Sequence, residues 1–155
     1  MNHLSLLPAA LLCLPSLFAE EQRRSSIPES ETGMVIQASE DTRFGMIVKA
    51  RINGQELRLM VDTGASVIAL TASDAARLGI RPPQRDFTVE VRTANGSVRA
   101  APARLDMVEV GDLTVRDVAA VVMPDGALSD NLLGLSFLSR LRRFEYSDGR
   151  LVLEQ

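Results

Sequence analysis

Two Asn-Gly pairs set between runs of alternating residues constrain the fold of this chain more than any other feature. In "RFGMIVKARI" the apolar residues Phe44, Met46, Val48, Ala50 and Ile52 fall on one face, with Lys49 and Arg51 on the other. That is the period-two signature of a half-buried strand. Asn53-Gly54 follows, the strongest short hairpin signal because both residues tolerate φ > 0. Leu57, Leu59 and Val61 then alternate on the return. A second hairpin has the same form: Phe87, Val89 and Val91 alternate, Asn95-Gly96 turns, and Val98 begins the return. Shorter strands are expected around 107–110, 113–122 and 144–153, punctuated by Gly111-Asp112, Pro124-Asp125-Gly126 and Asp148-Gly149.

Only two helices are expected, both short. "TASDAARLGI" offers Thr71 as N-cap, Asp74 three residues on, and Gly79 as the stop. "SFLSRL" offers Ser136 as cap for a helix over about 137–141. The body therefore reads as mainly β with two short helices, compatible with a small closed barrel. The two helices share a local setting. Each follows a strand ending in apolar-x-Gly, "VDTG" before the first and "LLG" before the second.

The stretch "LMVDTGASVIAL" at 59–70 places an acid among apolar residues, with Leu59, Met60 and Val61 before Asp62 and Val67, Ile68 and Leu70 after it. This bracketing predicts a buried carboxylate, which is costly unless it is paired or neutralised. Two readings stand side by side. Asp62 is a turn aspartate bonded to backbone N–H groups, or its perturbed carboxyl is the purpose of the segment.

Composition narrows the chemistry. The 155 residues, 46% hydrophobic and 24% charged, suit one globular domain. Net charge is −3, and the basic residues, sixteen Arg and only Lys49, are scattered, so no nucleic-acid partner is expected. The only histidine is His3 and the only cysteine Cys13. Beyond residue 13 there is no Cys nucleophile, no His base, no disulfide and no His/Cys metal site. Chemistry in the body must run on carboxylates, hydroxyls, Lys49, Arg or backbone groups, and neither metal nor cofactor is expected.

At the N-terminus, residues 4–19 are uncharged and end abruptly at Glu20-Glu21. Sixteen residues containing Pro8 and Pro15 are short for a membrane span, which needs about 20. The segment fits a secretory signal with cleavage after Ala19, although no Lys or Arg precedes it and Leu17 is large for its position. Residues 1–19 are thus expected to export the chain to the periplasm or medium, with a membrane anchor through 4–19 as the alternative. Residues 20–33 have linker composition, and 34–155 form the folded domain.

"VDTGAS" after an Asn-Gly hairpin, then a short helix, a second hairpin and a late "LLG" before another short helix, resembles the retropepsin-like aspartic proteases, closest to their single-domain bacterial members. The resemblance covers about 44–153. It implies an acid-protease β-barrel with one lobe per chain, and hence a homodimer acting on a polypeptide substrate. Asp62 of each subunit would meet on the two-fold axis as a catalytic dyad. Thr63, Gly64 and Ala65 would complete the active-site loop, with the Thr63 hydroxyl bonding across the axis and Gly64 letting the backbone pass under the carboxylates. Asn95 and Gly96 would form the flap tip. Leu132, Leu133 and Gly134 would support the loop, both leucines as core. Asp125 and Asp130 are read as ordinary loop acids.

The chain departs from the family in three places. Ser66 and Leu135 stand where retroviral enzymes pair an acid with an arginine. Ala65 stands where pepsins place a hydroxyl, which would favour activity nearer neutral pH. Two function classes follow, an aspartic endopeptidase and a non-catalytic peptide-binding or dimerisation module on the same fold.

Overall fold

The computed structural model describes residues 33–37 along the main chain and residues 45–155; these lie in one compact unit, Glu31–Gln155. The apolar segment 4–19, the expected linker short of Gly33, and Phe44 lie outside the described residues. Among the described residues no helix is long and apolar enough to cross a membrane.

Strands β2 (Ile47–Ile52) and β3 (Gln55–Val61) form the first hairpin, with Asn53 at φ 47° and Gly54 at φ 87°. Both central residues are left-handed, as a type I′ turn requires. Met46, Val48, Ala50 and Ile52 are buried on one face, as are Leu57 and Leu59 opposite, while Lys49 and Arg51 are exposed. Strand β4 (Ile68–Leu70) leads into α1 (Ala72–Arg77) and a 3-10 turn, Gln84–Asp86. Strands β5 (Val89–Thr93), β6 (Gly96–Val110), β7 (Leu113–Val122) and β8 (Asn131–Leu133) follow, then α2 (Leu135–Leu138). The order β2-β3-β8-β4-β7-β6 closes on itself through β2–β6 pairing, and β5 hangs on β6 outside the closed barrel. The barrel interior is filled by aliphatic side chains and Phe137. A separate three-stranded sheet pairs β1 (Gly33–Gln37) and β9 (Arg143–Ser147) with the central β10 (Arg150–Glu154).

The structure corrects three local expectations. Residues 96–110 form one fifteen-residue strand, where a return strand from Val98 and a separate strand over 107–110 were expected. Pro102 interrupts the local pattern, yet it lies past Ala100, where β5 has ended, and before Val108, where β2 begins to pair. Its missing N–H is therefore not needed on that side. The 144–153 segment pairs as two strands turned at Asp148-Gly149, the punctuation expected there.

The second hairpin turns on Ala94-Asn95 rather than Asn95-Gly96, with Thr93 opposite Gly96. Gly96 takes the positive φ of 116°, and Thr93 Oγ1 closes the turn by donating to Gly96 O at 2.8 Å. This moves each partner by two residues and keeps Val91 and Val98 on one face. Finally, α2 begins at Leu135, two residues earlier than expected, and its cap is Gly134 rather than Ser136.

Helix α1 is capped at both ends. Thr71 Oγ1 accepts from Asp74 N–H at 3.2 Å, while Gly79 N–H and Ile80 N–H close a Schellman motif on Ala76 O and Ala75 O. Asp74 does not reach back to Thr71 N–H as in a capping box. That amide instead donates to Asn131 Oδ1 at 2.9 Å, and Asp74 Oδ2 accepts from Asn131 Nδ2 at 2.7 Å.

Candidate active site

Parallel pairing of β3 with β8 sets Val61 beside Leu133, so the two apolar-x-Gly segments leave the barrel together. Asp62 N–H donates to Leu133 O at 3.1 Å, extending that pairing by one bond. The chain then turns, with Ala65 N–H donating to Asp62 O at 3.3 Å and Gly64 N–H to Asp62 Oδ1 at 2.8 Å. The first N–H groups of a helix lack partners within it. In α2 they bond the Asp62 loop: Leu135 N–H donates to Ala65 O at 2.8 Å and Ser136 N–H to Ser66 O at 3.0 Å. This is why α2 needs no side-chain cap.

It also explains Gly134, where a Cβ would sit 2.6 Å from Ala65 O and closer still to Val67 O. Gly64 is a milder case, since a Cβ there would lie 3.1 Å from Asp62 Oδ1. The positions that lack the retroviral ion pair, Ser66 and Leu135, are thus bridged through neighbouring main-chain bonds.

The Asp62 carboxylate is not buried in the core. It is half-buried, with Thr63 and Gly64 exposed beside it, because the loop stands at the mouth of a cleft outside the barrel interior. The turn-aspartate geometry is present at one oxygen. The other, Oδ2, has no hydrogen-bond partner among the described residues.

The cleft has a volume of about 630 Å³. Asp62, Gly64, Ala65, Ser66 and Val67 form one side, and residues 89–94 of the second hairpin another. Ala69, Val121, Met123, Leu128 and Leu132 complete an apolar wall, packed in a small cluster separate from the barrel core. All five residues of β5, with Ala94 of the turn, line the cleft, although side chains alternate across a strand. The strand therefore presents its edge, and β5 is the end strand of its sheet.

Of the remaining expected site residues, Leu133 and Gly134 are buried under the loop. Leu132, expected in the core, is half-buried and lines the cleft, because β8 alternates between barrel and cleft. Asn95 and Gly96 stand exposed at the hairpin tip, beyond the cleft lining that ends at Ala94. Asp125 and Asp130 are exposed in the loop before β8.

Several contributors were not legible from the chain. Glu90 and Arg92 put charge at the cleft beside Val89 and Val91. Asn131 is buried yet fully satisfied, donating to Arg58 O and Asp74 and accepting from Thr71 N–H. An Asn directly before "LLG" in a strand is itself a signal, since Asn is depleted in strands.

Comparison with known proteins agrees with this geometry. Residues 48–140 match the family described as "gag-polyprotein putative aspartyl protease". An uncharacterized protein in the cobV 5′ region of a Sinorhizobium species is 42% identical over 104 residues, 67% of this chain and 45% of that one. An uncharacterized protein of Rickettsia prowazekii is 38% identical over 125 residues, covering 80% of this chain and 52% of that one. The chain thus spans about half the length of these curated relatives. The crystal structure of a retropepsin-like aspartic protease from Rickettsia conorii superposes with a TM-score of 0.70 at 34% identity, covering 80% of this chain and 91% of that one. EIAV protease in complex with an inhibitor shares the fold, with a TM-score of 0.53 at 17% identity over 66% of this chain and 93% of that one. A matched barrel, an Asp-Thr-Gly loop on the cleft and a family match over most of the domain place this chain in the retropepsin-like aspartic protease family.

Proposed function

We propose that this chain is an aspartic endopeptidase whose active unit is a homodimer, with Asp62 from each subunit forming the catalytic dyad. The observation that carries the reading is the half-buried Asp62 carboxylate on an apolar cleft, one oxygen fixed by Gly64 N–H and the other unengaged by the described residues. The described domain carries a single Asp-Thr-Gly, so a dyad needs a second copy of that domain. A two-fold interface supplies it, because a residue on the axis meets its own copy.

Two carboxylates at such range share one proton, and their titration belongs to the pair. The ionised member takes a proton from a water whose oxygen attacks the scissile carbonyl carbon, while the protonated member gives its proton to the carbonyl oxygen. Collapse of the resulting diol breaks the C–N bond, and the proton taken from water passes to the departing amine. One diol hydroxyl returns its proton to the other carboxylate as the carbonyl re-forms. The free edge of β5 supports an extended polypeptide as the substrate, since an edge strand offers unpaired N–H and C=O groups to a peptide.

The test is purified residues 20–155 with a diverse peptide library, beside Asp62→Asn, which keeps shape and removes the titrating group. Cleavage by the wild type and none by the variant is the expected result. Peptide binding without cleavage by either protein would favour the non-catalytic module. We further propose export directed by residues 4–19, which intact-mass analysis from the native host checks through a mature start near Glu20.

A further inference from the structure

The Asp62 loop is anchored along its length to residues 133–136. Its entrance is held by Asp62 N–H on Leu133 O and its middle by the Leu135 and Ser136 amides. These bonds are main chain to main chain and do not depend on which side chains are present. The exit is different. Ile68 N–H donates to Ser136 Oγ at 3.0 Å, and the same hydroxyl donates to Ala119 O at 2.8 Å. Ile68 is fully buried, so water cannot substitute for the hydroxyl oxygen.

We propose, on the basis of the aspartic-protease reading, that Ser136 is a positioning residue for Asp62. Its hydroxyl joins three elements: α2, the start of β4 where the loop re-enters the barrel, and β7. Two residues beyond Ala119, β7 contributes Val121 to the cleft wall. The hydroxyl therefore fixes the loop exit relative to the surface on which substrate lies. Without it, the loop keeps its entrance and middle bonds but can pivot at its exit, moving Asp62 relative to the bound peptide. A hydroxyl fits this role because it accepts one hydrogen bond and donates another through a single small atom. Ser139, at the end of the same short helical segment, provides a contrast: among the described residues its hydroxyl bonds only Leu135 O within the helical turn.

The experiment compares Ser136→Ala, Ser136→Cys and Ser139→Ala in the full chain, using amide exchange at Ile68 and steady-state kinetics on a peptide that the wild type cleaves. Ser136→Ala is expected to lower kcat roughly 10- to 100-fold, the scale of a misplaced catalytic group. KM should stay within about twofold, since the cleft wall itself is unchanged. Ile68 exchange should accelerate about tenfold or more, because a buried N–H loses its partner. Ser136→Cys, of similar shape with a weak S–H hydrogen bond, should fall between, and Ser139→Ala should match the wild type. An unchanged kcat in folded Ser136→Ala, or an equal loss in Ser139→Ala, overturns the proposal. If Ser136→Ala does not fold, wild-type kcat and exchange in Ser136→Cys overturn it instead. A wild type that cleaves no peptide removes the protease reading, whereas Ile68 exchange still decides whether Ser136 holds the loop.

Discussion

Gly134 lies against the carbonyl of Ala65 so closely that a Cβ on it would come within 2.6 Å of that oxygen. Its φ of −93° is open to any residue, so the requirement is space and not backbone conformation. The obstructing atoms, Ala65 O and Val67 O, belong to main chain already committed to the loop and cannot rotate away. Gly134→Ala is therefore expected to destabilise the domain by about 1–3 kcal/mol, the range for overpacking a tight site. Thermal or urea unfolding measures it. A stable Gly134→Ala variant with an unshifted Asp62 loop would show that the contact is softer than the geometry implies.

If each subunit carries half of a site, specific activity should fall as enzyme is diluted below the dimer dissociation constant. Titrating Asp62→Asn into wild type should lower the rate below simple dilution, because mixed dimers hold one carboxyl where the reaction needs two. Rates strictly proportional to enzyme concentration over several decades, together with a monomer by sedimentation, would contradict the dimer.

Asn131 joins β8 to β3 and to the N-terminus of α1 from a buried position. Asn131→Leu would strand Thr71 N–H and remove a partner from Asp74, at a cost of about 2–4 kcal/mol. Asn131→Asp should be sensitive to pH. The new carboxylate would stand about 2.7 Å from Asp74 Oδ2, raising the folded-state pKa of the pair above its unfolded value. Stability of that variant should rise as pH falls through the carboxylate range, opposite to ordinary acid denaturation. Urea midpoints between pH 4 and 7 (roughly the range over which a raised carboxylate protonates) test the sign.

At the exposed end of the molecule, Glu145 is held below the usual glutamate range, first by its hydrogen bond from Arg143 and then by that residue's charge. A lowered folded-state pKa contributes stability above the unfolded value that is lost as pH falls through the folded one. Glu145→Gln should therefore be slightly less stable than wild type at neutral pH and indistinguishable in acid. The pair is exposed to solvent, so the difference should also shrink in high salt. A difference that persists in acid and in salt would point to packing rather than charge.

The chain alone determined what depends on near neighbours. Alternation over 46–52 and 57–61 fixed which side chains enter the barrel, because a strand's side-chain period is two. Asn53-Gly54 placed the first turn correctly because both residues reach positive φ at low cost. The same rule misplaced the second turn, where the Thr93 hydroxyl and a single Gly96 satisfied the backbone differently. Thr71 and Gly79 marked the ends of α1 because caps act within one helical turn.

The tertiary structure decided where Asp62 points and what holds it there. Apolar neighbours implied burial, yet only the meeting of β3 with β8 sets the loop at a cleft mouth. The bonds that fix its surroundings span long stretches of chain, 68 residues from Ile68 to Ser136 and 60 from Thr71 to Asn131. No local propensity encodes such a pairing. A serine that looks like a helix cap, and an asparagine whose partners no local pattern marks, acquire their roles only when barrel closure brings buried, unpaired backbone groups within their reach.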